Sequence, residues 1–390
     1  MAGNRIYHLG RAGKTDRKRY LMVKTIFSKN SPLKEKLKQL MLYLSRRRGA
    51  KIVWKRRHNT VFEQHPEYRK PLDNKTRHAH RELWEPFYKN FSDATLQISR
   101  SVSGTDNPMI IPEEIFQTDI EPTLNRHPEA HYLGHKSFYN RWFNSGIFPK
   151  DLLHIVKGEL LDNEYHTVSA DEISTFIQNF EYPVVMKPNQ ETWGGNNIQF
   201  VQAPEELLSL VRSSQDAVIQ EKIPQHPELS RYHPPSLNTV RVYLYRSVTD
   251  NKVHLLHAVL RTGNNTPVDN VTAGGLVSLI NQNGYLHGYA LDLYGGKHTN
   301  HPVTGLPFTG QIPDFEQLKE LSVEIAQKLF LLRVVGLDLC YDETGRWRAV
   351  EVNTRGHSIR FSQYAGLPFF GEYTEEVLNY CKNSHWTLPE

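Results

Sequence analysis

The chain reads Val334-Val-Gly-Leu-Asp-Leu-Cys-Tyr-Asp-Glu-Thr-Gly-Arg-Trp-Arg-Ala-Val-Glu-Val-Asn353 near its C-terminal end. Two apolar runs flank the turn sequence Asp342–Arg346, which predicts an antiparallel hairpin. Side chains alternate between the two faces of a strand, so Glu351 and Asn353 share one side. A tight turn then places Asp338 roughly opposite Glu351.

Two carboxylates that face each other across a strand pair repel. The opposition of Asp338 and Glu351 is explained if a hard cation lies between them. Mg²⁺ takes oxygen ligands from one or two carboxylates and from substrate phosphates, and Asn353 adds a neutral oxygen. The alternative is that both carboxylates are solvated or salt-bridged to nearby arginines.

A second informative segment is Val184-Val-Met-Lys-Pro188, followed by Glu191-Thr-Trp-Gly-Gly-Asn-Asn197. A lysine that leaves a strand just before a Gly-Gly loop can meet phosphate oxygens, which the backbone N–H groups of the loop surround. The segment is not a Walker A sequence. An ordinary hairpin is the alternative interpretation.

The rest of the chain mixes helices with strands that are joined by short turns. Asp314 and Gln317 have the spacing of a capping box, and an apolar stripe of helical period runs from Leu318 to Leu332. Asn283-Gly284 is a strong hairpin signal. This mixture predicts the α+β class rather than a doubly wound sheet. The other predicted elements are a helix at 204–212 and strands at 198–201, 217–223, 237–246, 252–261, 275–280 and 285–291.

Taken in order, these segments resemble the ATP-grasp superfamily over about residues 130–380. The most similar branch is the sugar-transfer-associated one, which is related in layout to D-alanine:D-alanine ligases. The metal pattern of the superfamily, an acid followed by an E-x-N strand, resembles Asp338, Glu351 and Asn353. The branch resemblance is carried by Ser236-Leu-Asn-Thr-Val-Arg241, Arg261-Thr-Gly263, Val268-Asp-Asn270 with Gly274-Gly275, and His301-Pro-Val-Thr-Gly305.

This resemblance implies ATP and Mg²⁺ as cofactors and the ATP-grasp fold, in which two α+β subdomains enclose the nucleotide. Lys136 matches the lysine that precedes a helix, and Lys187 matches the lysine that ends a strand before the phosphate loop. Glu228 matches the glutamate that grips the ribose. The other implied positions are Trp193, Gly194 and Gly195 in the phosphate loop, Gln220, Glu221 and Ile223 around the adenine, and Asp338, Glu351 and Asn353 at the metal.

One departure from the pattern concerns the charge at the reaction centre. D-alanine ligase-like members carry an arginine two positions before the first metal acid, where this chain has Gly336. The positive charge for the transferring phosphoryl group is therefore expected from Arg241, Arg261 and Arg355. The candidate residues for the second substrate are Asp269, Asn270, Lys297, His298 and His301.

The composition excludes several classes of protein. The 390 residues include 17 Phe, 19 Tyr and 6 Trp, which argues against a disordered chain. Only Cys340 and Cys381 are present, so a disulfide framework and a cysteine-ligated zinc site are ruled out. No stretch approaches the ~20 apolar residues of a membrane span, and the charged N-terminus lacks the apolar segment of a secretory signal. The sequence predicts a cytoplasmic protein.

Residues 1–60 form a basic arm, with 18 Lys and Arg but only Asp16 and Glu35. Ser31 and Pro32 predict the start of a helix with an apolar stripe, which we expect to pack on the body because stripes of this length usually face the core. The alternative is a basic amphipathic helix on the anionic inner face of a membrane; nucleic acid is not expected as a partner. The stripe consists of Leu33, Leu37, Leu40, Met41 and Leu44.

Four parts of the chain are predicted. Residues 1–65 are the basic, partly helical arm, and residues 66–134 are an N-terminal subdomain. Residues 135–222 form the lid and central subdomain of the ATP-grasp fold, and residues 223–390 form its catalytic C-terminal subdomain.

The resemblance implies an ATP-dependent carboxylate–amine ligase. ATP would phosphorylate a carboxylate, and an amine would attack the acyl phosphate. The branch suggests an amide between a sugar carboxylate, free or as a nucleotide sugar, and an amino compound in cell-surface polysaccharide biosynthesis. One alternative is an ATP-grasp phosphotransferase. The other is a non-enzymatic, basic protein that binds nucleic acid or membrane, which would explain the arm but not the motifs.

Overall fold

The computed structural model describes residues 32–144, 146–190, 198–265 and 268–388. Within these ranges, no helix combines the length and the apolarity that a bilayer span requires. The helices are α1 (Leu33–Gln64), α2 (Asn74–Trp84), α3 (Ala94–Ser103), α4 (Glu113–Ile115), α5 (Glu121–Leu124), α6 (Tyr139–Trp142), α7 (Ile173–Gln178), α8 (Pro204–Ser213), α9 (Pro227–Ser230), α10 (Phe315–Lys328), α11 (Arg360–Tyr364) and α12 (Thr374–Asn383).

The strands lie between residues 151 and 353, and a π-helical turn, Phe116–Ile120, joins α4 to α5. The predicted helix cap Ser31 is outside the described residues. The strands are β1 (Asp151–Val156), β2 (Glu159–Asp162), β3 (Val184–Pro188), β4 (Gln199–Val201), β5 (Ala217–Glu221), β6 (Thr239–Arg246), β7 (Val253–Thr262), β8 (Leu276–Ile280), β9 (Ala290–Leu291), β10 (Lys297–His298), β11 (Val334–Tyr341) and β12 (Trp347–Asn353).

The strands form two sheets. A five-stranded sheet has the order β2-β1-β5-β3-β4, and a seven-stranded sheet has the order β10-β9-β8-β7-β6-β11-β12. Every pair of these strands is antiparallel. Helices packed on antiparallel sheets define the α+β class, which confirms the predicted fold class.

Alternation along the central strands divides the seven-stranded sheet into two faces. Val240, Val242 and Leu244 of β6 point to one face, where they pack with Leu318 and Ile325 of α10 in the largest apolar core. The opposite face is covered in part by α1 and α3. The uncovered part of this second face forms one wall of a cleft.

The five-stranded sheet has a core of its own. Leu153, Val184 and Ile219 pack there with residues of α7 and α8. The two sheets meet where Glu221 at the end of β5 accepts from Arg348 of β12 at 2.5 Å. The cleft lies between the sheets, next to this junction.

The hairpin of β11 and β12 has the register that the sequence predicts. Asp338 pairs with Glu351, and Gly336 pairs with Asn353. The turn between the strands is closed by Asp342, whose backbone N–H donates to the carbonyl of Arg346 at 2.9 Å. The opposition of the two carboxylates is therefore confirmed.

The first half of α1 exposes its apolar stripe, so the expectation that this stripe packs on the body is wrong. Leu33, Leu37, Met41 and Leu44 are 65%, 45%, 72% and 51% exposed. The helix docks through a different face, which carries aromatic and polar residues as well as aliphatic ones. The buried residues of α1 are Tyr43, Arg47, Ala50, Trp54, His58, Val61 and Phe62.

Two local predictions are also corrected. Asp314 precedes α10 with a φ of 42° and makes no side-chain capping bond; its carboxylate accepts instead from the hydroxyl of Tyr341. The strand predicted at 285–291 is reduced to Ala290–Leu291. Gly288, with a φ of 86°, interrupts the extended backbone before it.

Candidate active site

The cleft between the sheets has a volume of about 1660 Å³. Its walls come from both sheets and from α1, and every residue from Val350 to Phe361 lines it. A pocket for one small ligand typically measures about 300–1000 Å³. The cleft therefore has room for more than one small molecule.

The buried carboxylate of Asp338 lies between two arginines on one wall of the cleft. Arg241 donates from Nε to Oδ1 and from Nη2 to Oδ2, both at 2.6 Å, and Arg261 donates from Nη1 to Oδ2 at 3.1 Å. Burial favours a higher pKa for Asp338, but Arg241 and then Arg261 hold that pKa well below its usual range. Asp338 is therefore ionised and fixes both guanidinium groups.

Glu351 has a lysine as its partner. The Nζ of Lys136 lies 2.7 Å from Oε1 of Glu351. Burial favours a higher pKa for Glu351, but the ammonium of Lys136 outweighs both burial and the nearby Asp338, so the pKa is lowered. Both opposed carboxylates are thus paired with cations, as the alternative interpretation of the hairpin proposes.

Lys187 is a second buried lysine in the cleft, near the end of β3, and is 7% exposed. Burial, followed by repulsion from Lys136, lowers the pKa of Lys187 to about 8. An anion bound between the two ammonium groups would relieve this repulsion. The pair is suited to phosphate oxygens.

The donors at the hairpin fit a magnesium ion. A carboxylate offers about four lone-pair positions, and Asp338 uses three of them for its arginines. The side-chain oxygen of Asn353 is a neutral ligand of the kind that Mg²⁺ takes, whereas its buried Nδ2, which has no hydrogen-bond partner among the described residues, is a donor and could not contact a cation. In that part of the chain no group of three or more His, Cys, Asp or Glu could hold a metal by itself. A cation here would need phosphate oxygens as further ligands.

His357 occupies the space beside Gly336, the position at which D-alanine ligase-like members carry an arginine. A Cβ on Gly336 would lie 3.1 Å from Cδ2 of His357. Glu121 holds that ring, with its Oε1 2.6 Å from Nδ1 and 2.9 Å from the backbone nitrogen of His357. The histidine lies next to the glycine, and Arg241 and Arg261 carry positive charge on the same wall of the cleft.

Two of the three residues predicted to contact the adenine line the cleft, and the third does not. Glu221 and Ile223 line the cleft. Gln220 does not, because its Nε2 donates to Oδ1 of Asp151 at 2.9 Å. Burial raises the pKa of Asp151 to about 6. The side chain of Gln220 therefore supports the pairing of β1 with β5 rather than facing a ligand.

Glu228 lies outside the cleft. Its Oε2 is 3.5 Å from Nη2 of Arg231, and it lines a separate cavity of about 530 Å³ together with Asp314 and Phe315. This placement does not support the ribose role that the resemblance implies.

The arginine cluster extends along the cleft. Asp269, Asn270 and Arg355 line it, and Oδ1 of Asp269 is 3.4 Å from Nη2 of Arg261. Arg261 therefore bridges Asp269 and Asp338. The remaining residues of the predicted phosphate site lie outside the described residues: Trp193, Gly194 and Gly195.

The structure does not bring Lys297, His298 or His301 to the cleft, which corrects their expected contact with a second substrate. Nε2 of His298 is 3.0 Å from Oδ2 of Asp292. His301 is buried, with Nε2 2.8 Å from the carbonyl oxygen of Gly263. These residues hold a loop together.

The sequence analysis missed the far end of the cleft, which Trp54 and Arg57 of α1, Glu113 of α4 and Arg360 of α11 line. These residues belong to no local motif. The one available signal was the helical spacing of Arg57 with other cleft residues of α1, namely Leu42, Arg46 and Val53.

Fold and site together define an α+β protein whose cleft is lined by several lysine and arginine side chains. Residues 204–371 match the family described as sugar-transfer associated ATP-grasp. Over that part of the chain the match confirms the resemblance that the sequence motifs indicated. No curated protein matches the chain.

Solved structures of ATP-grasp enzymes are similar to the chain at low identity. N5-carboxyaminoimidazole synthase from Aspergillus clavatus is 10% identical with a TM-score of 0.39, covering 64% of this chain and 53% of that chain. The ATP-grasp ligase PsnB is 14% identical with a TM-score of 0.37, covering 65% and 62%. The biotin carboxylase domain of Hydrogenobacter thermophilus 2-oxoglutarate carboxylase is 14% identical with a TM-score of 0.36, covering 64% and 45%. The chain thus spans less than two thirds of each of these neighbours.

Proposed function

We propose that this protein is an ATP-dependent ligase that joins a carboxylate to an amine and releases ADP and phosphate. The observation that carries the proposal is the convergence of Lys136, Lys187, Arg241 and Arg261 on two opposed carboxylates in one cleft. Asp269, which contacts Arg261, is a third carboxylate in the cleft, so four cations face three carboxylates. The surplus of positive charge supports a polyanionic substrate, and the family match over residues 204–371 supports ATP as that substrate.

Each side chain has a separate role in this proposal. Lys136 and Lys187 bind the phosphates of ATP, and Glu221 and Ile223 lie where the adenine is expected. Arg241 and Arg261, which Asp338 fixes in place, stabilise the charge on the phosphoryl group while it moves to the substrate carboxylate.

Asp338, Glu351 and Asn353 would hold Mg²⁺, which when bound neutralises phosphate charge as the carboxylate approaches. The amine then attacks the acyl phosphate, and phosphate leaves. This sequence needs no covalent nucleophile from the protein.

We propose a sugar carboxylate as one substrate and a small amino compound as the other, in cell-surface polysaccharide biosynthesis. The support is the sugar-transfer description of the family. Asp269, Asn270 and Arg355 line the cleft and are the candidate substrate contacts.

We also propose that α1 attaches a cytoplasmic protein to the anionic inner face of a membrane. The exposed Leu37 and Met41 support this attachment, and so do the exposed Lys34 and Lys38 beside them. An apolar stripe next to lysines is typical of helices that lie on anionic lipid.

The division of the chain at residues 65, 134 and 222 stays a prediction.

The experiment that tests the ligase proposal measures ADP and free phosphate over a grid of uronic acids, their nucleotide derivatives and amino acids. A ligase releases both products only when a carboxylate and an amine are present together. A phosphotransferase would release ADP without free phosphate and leave a phosphorylated acceptor. A non-enzymatic protein would release neither, which would contradict the proposal.

A further inference from the structure

The cleft continues past the reaction centre to an end that the proposed chemistry does not use. Every residue from Val350 to Phe361 lines the cleft. The chain therefore follows the wall of the cleft from Glu351, at the reaction centre, to Arg360. On the opposite side, Arg46, Val53 and Arg57 project into the cleft from one face of α1. We call this end, between α1 and α11, the arginine compartment.

Two guanidinium groups flank one indole ring in the arginine compartment. The Cζ of Arg57 lies 4.7 Å from the ring centroid of Trp54, and the Cζ of Arg360 lies 6.0 Å from it. The indole is fixed, because its Nε1 donates to Oε1 of Gln117 at 2.7 Å. Both guanidinium groups therefore lie within cation–π distance of one fixed aromatic ring.

The two arginines have few polar partners in the arginine compartment. Arg360 is 7% exposed, and its Nε has no hydrogen-bond partner in the part of the chain that the structure describes. Arg57 is exposed as a whole residue, but partial desolvation of its guanidinium group, followed by repulsion from Arg360, lowers its pKa, which Glu113 counteracts only in part. Oε2 of Glu113 is already engaged by Thr95 and lies 3.3 Å from Nε2 of His58. The acid that offsets part of the charge of Arg57 thus has other partners through Oε2, while its Oε1 is buried without a hydrogen-bond partner among the described residues.

We propose that the arginine compartment binds a phosphate group of the acceptor substrate, held between Arg57 and Arg360. This inference rests on the proposed ligase function, since it assigns the class of that acceptor. A phosphate carries up to two negative charges and accepts paired hydrogen bonds from guanidinium groups. The acceptor is then a phosphorylated sugar acid, with its carboxylate at the reaction centre and its phosphate at the far end.

The test uses the full protein with AMP-PNP and Mg²⁺ already bound, so that the nucleotide end is filled. Inorganic phosphate is titrated at constant ionic strength, and tryptophan fluorescence is followed in the unmodified protein and in Trp54→Phe. We expect a saturable change that Trp54→Phe removes. Arg57→Gln is expected to weaken the apparent affinity at least ~10-fold, in line with the loss of charge-assisted hydrogen bonds.

The matched control is Arg56→Gln, an exposed arginine of the same helix that does not line the cleft; it should bind phosphate as the unmodified protein does. Arg57 is also exposed, so its variant should fold, and Arg360→Lys keeps a charge at the buried position. The absence of a saturable change, an equal loss in Arg56→Gln, or binding of citrate in place of phosphate would overturn the proposal.

These results are separable from the ligase proposal. Phosphate binding requires no turnover, so it can be found even if no amide is ever formed. Conversely, the protein could ligate an unphosphorylated sugar acid with the same KM in Arg57→Gln as in the unmodified protein. The ligase proposal would then stand, and the phosphorylated acceptor would be excluded.

Discussion

At the scale of single residues, we predict that Lys187 makes nucleotide binding depend on pH. Its pKa of about 8 means that it is mostly charged at pH 7 and mostly neutral at pH 9. Only the charged form attracts phosphate, so ATP affinity should be nearly constant below pH 8 and fall as the pH rises above it. Calorimetric titration between pH 7 and 9.5 should show a loss approaching ~10-fold per pH unit, the limit for a single required proton.

Lys187→Arg is the control for this prediction, because arginine stays charged throughout the range. Its affinity should not change between pH 7 and 9.5. A decline in Lys187→Arg as steep as that in the unmodified protein would assign the pH dependence to another group.

A second prediction at this scale concerns Glu351. Glu351→Gln keeps the shape of the side chain but removes the anion that faces Lys136, and it deprives a bound cation of a carboxylate ligand. We expect turnover at subsaturating Mg²⁺ to fall by roughly 100-fold or more, given the several kcal/mol that metal-ion charge stabilisation supplies. Glu343→Gln, an exposed residue in the turn of the same hairpin, should retain normal turnover. Normal activity in Glu351→Gln would remove the metal assignment.

Asp338→Asn should behave differently from Glu351→Gln. It leaves Arg241 without its anion and leaves Arg261 with Asp269 alone, and breaking a buried pair costs about 3–5 kcal/mol. We expect denaturant unfolding to show this loss in addition to the loss of turnover. An unchanged free energy of unfolding would mean that the two arginines find other partners.

At the scale of elements, α1 carries two different surfaces. Leu37 and Met41 are exposed, whereas Arg46 and Val53 line the cleft on the opposite side of the helix. A double substitution, Leu37→Ser with Met41→Ser, should lower binding to vesicles of anionic phospholipid by about 10-fold or more. Each Å² of apolar surface that the lipid no longer covers removes about 25 cal/mol of binding free energy. Sedimentation with vesicles measures the effect.

The control for that prediction is Phe330→Ser, which removes a side chain that is 73% exposed and distant from α1 in the sequence. Its vesicle binding should be normal, and the thermal stability of the α1 variant should match that of the unmodified protein. Equal vesicle binding by the unmodified protein and the α1 variant would contradict membrane attachment.

The elements also show what the sequence could predict. The limits of β11 and β12, 334–341 and 347–353, match the predicted ones, because alternation and a turn sequence are local signals. The buried face of α1 could not be predicted, since the contacts of Arg47 with Asp119 and of Trp54 with Gln117 join distant segments. Local spacing gave a wrong prediction at Asp314. Its carboxylate accepts from the hydroxyl of Tyr341 and does not cap the helix.

At the scale of the whole molecule, the site is assembled from parts with very different sequence signals. The motifs led to Lys136, Lys187, Asp338 and Glu351, which the structure brings into one cleft. The arginine compartment gave no comparable signal, because Arg57 and Arg360 come from helices far apart in the chain. Gln220 and Glu221 are adjacent in the sequence, yet only Glu221 lines the cleft.

In the proposed reaction, ATP activates a carboxylate as an acyl phosphate. The decisive measurement supplies the acceptor that supports ADP release with ¹⁸O in its carboxylate and determines the mass of the released phosphate. Ligation through an acyl phosphate transfers one labelled oxygen from the carboxylate to the phosphate, so we expect one ¹⁸O per phosphate. Unlabelled phosphate, or a phosphorylated sugar as the final product, would contradict the ligase proposal.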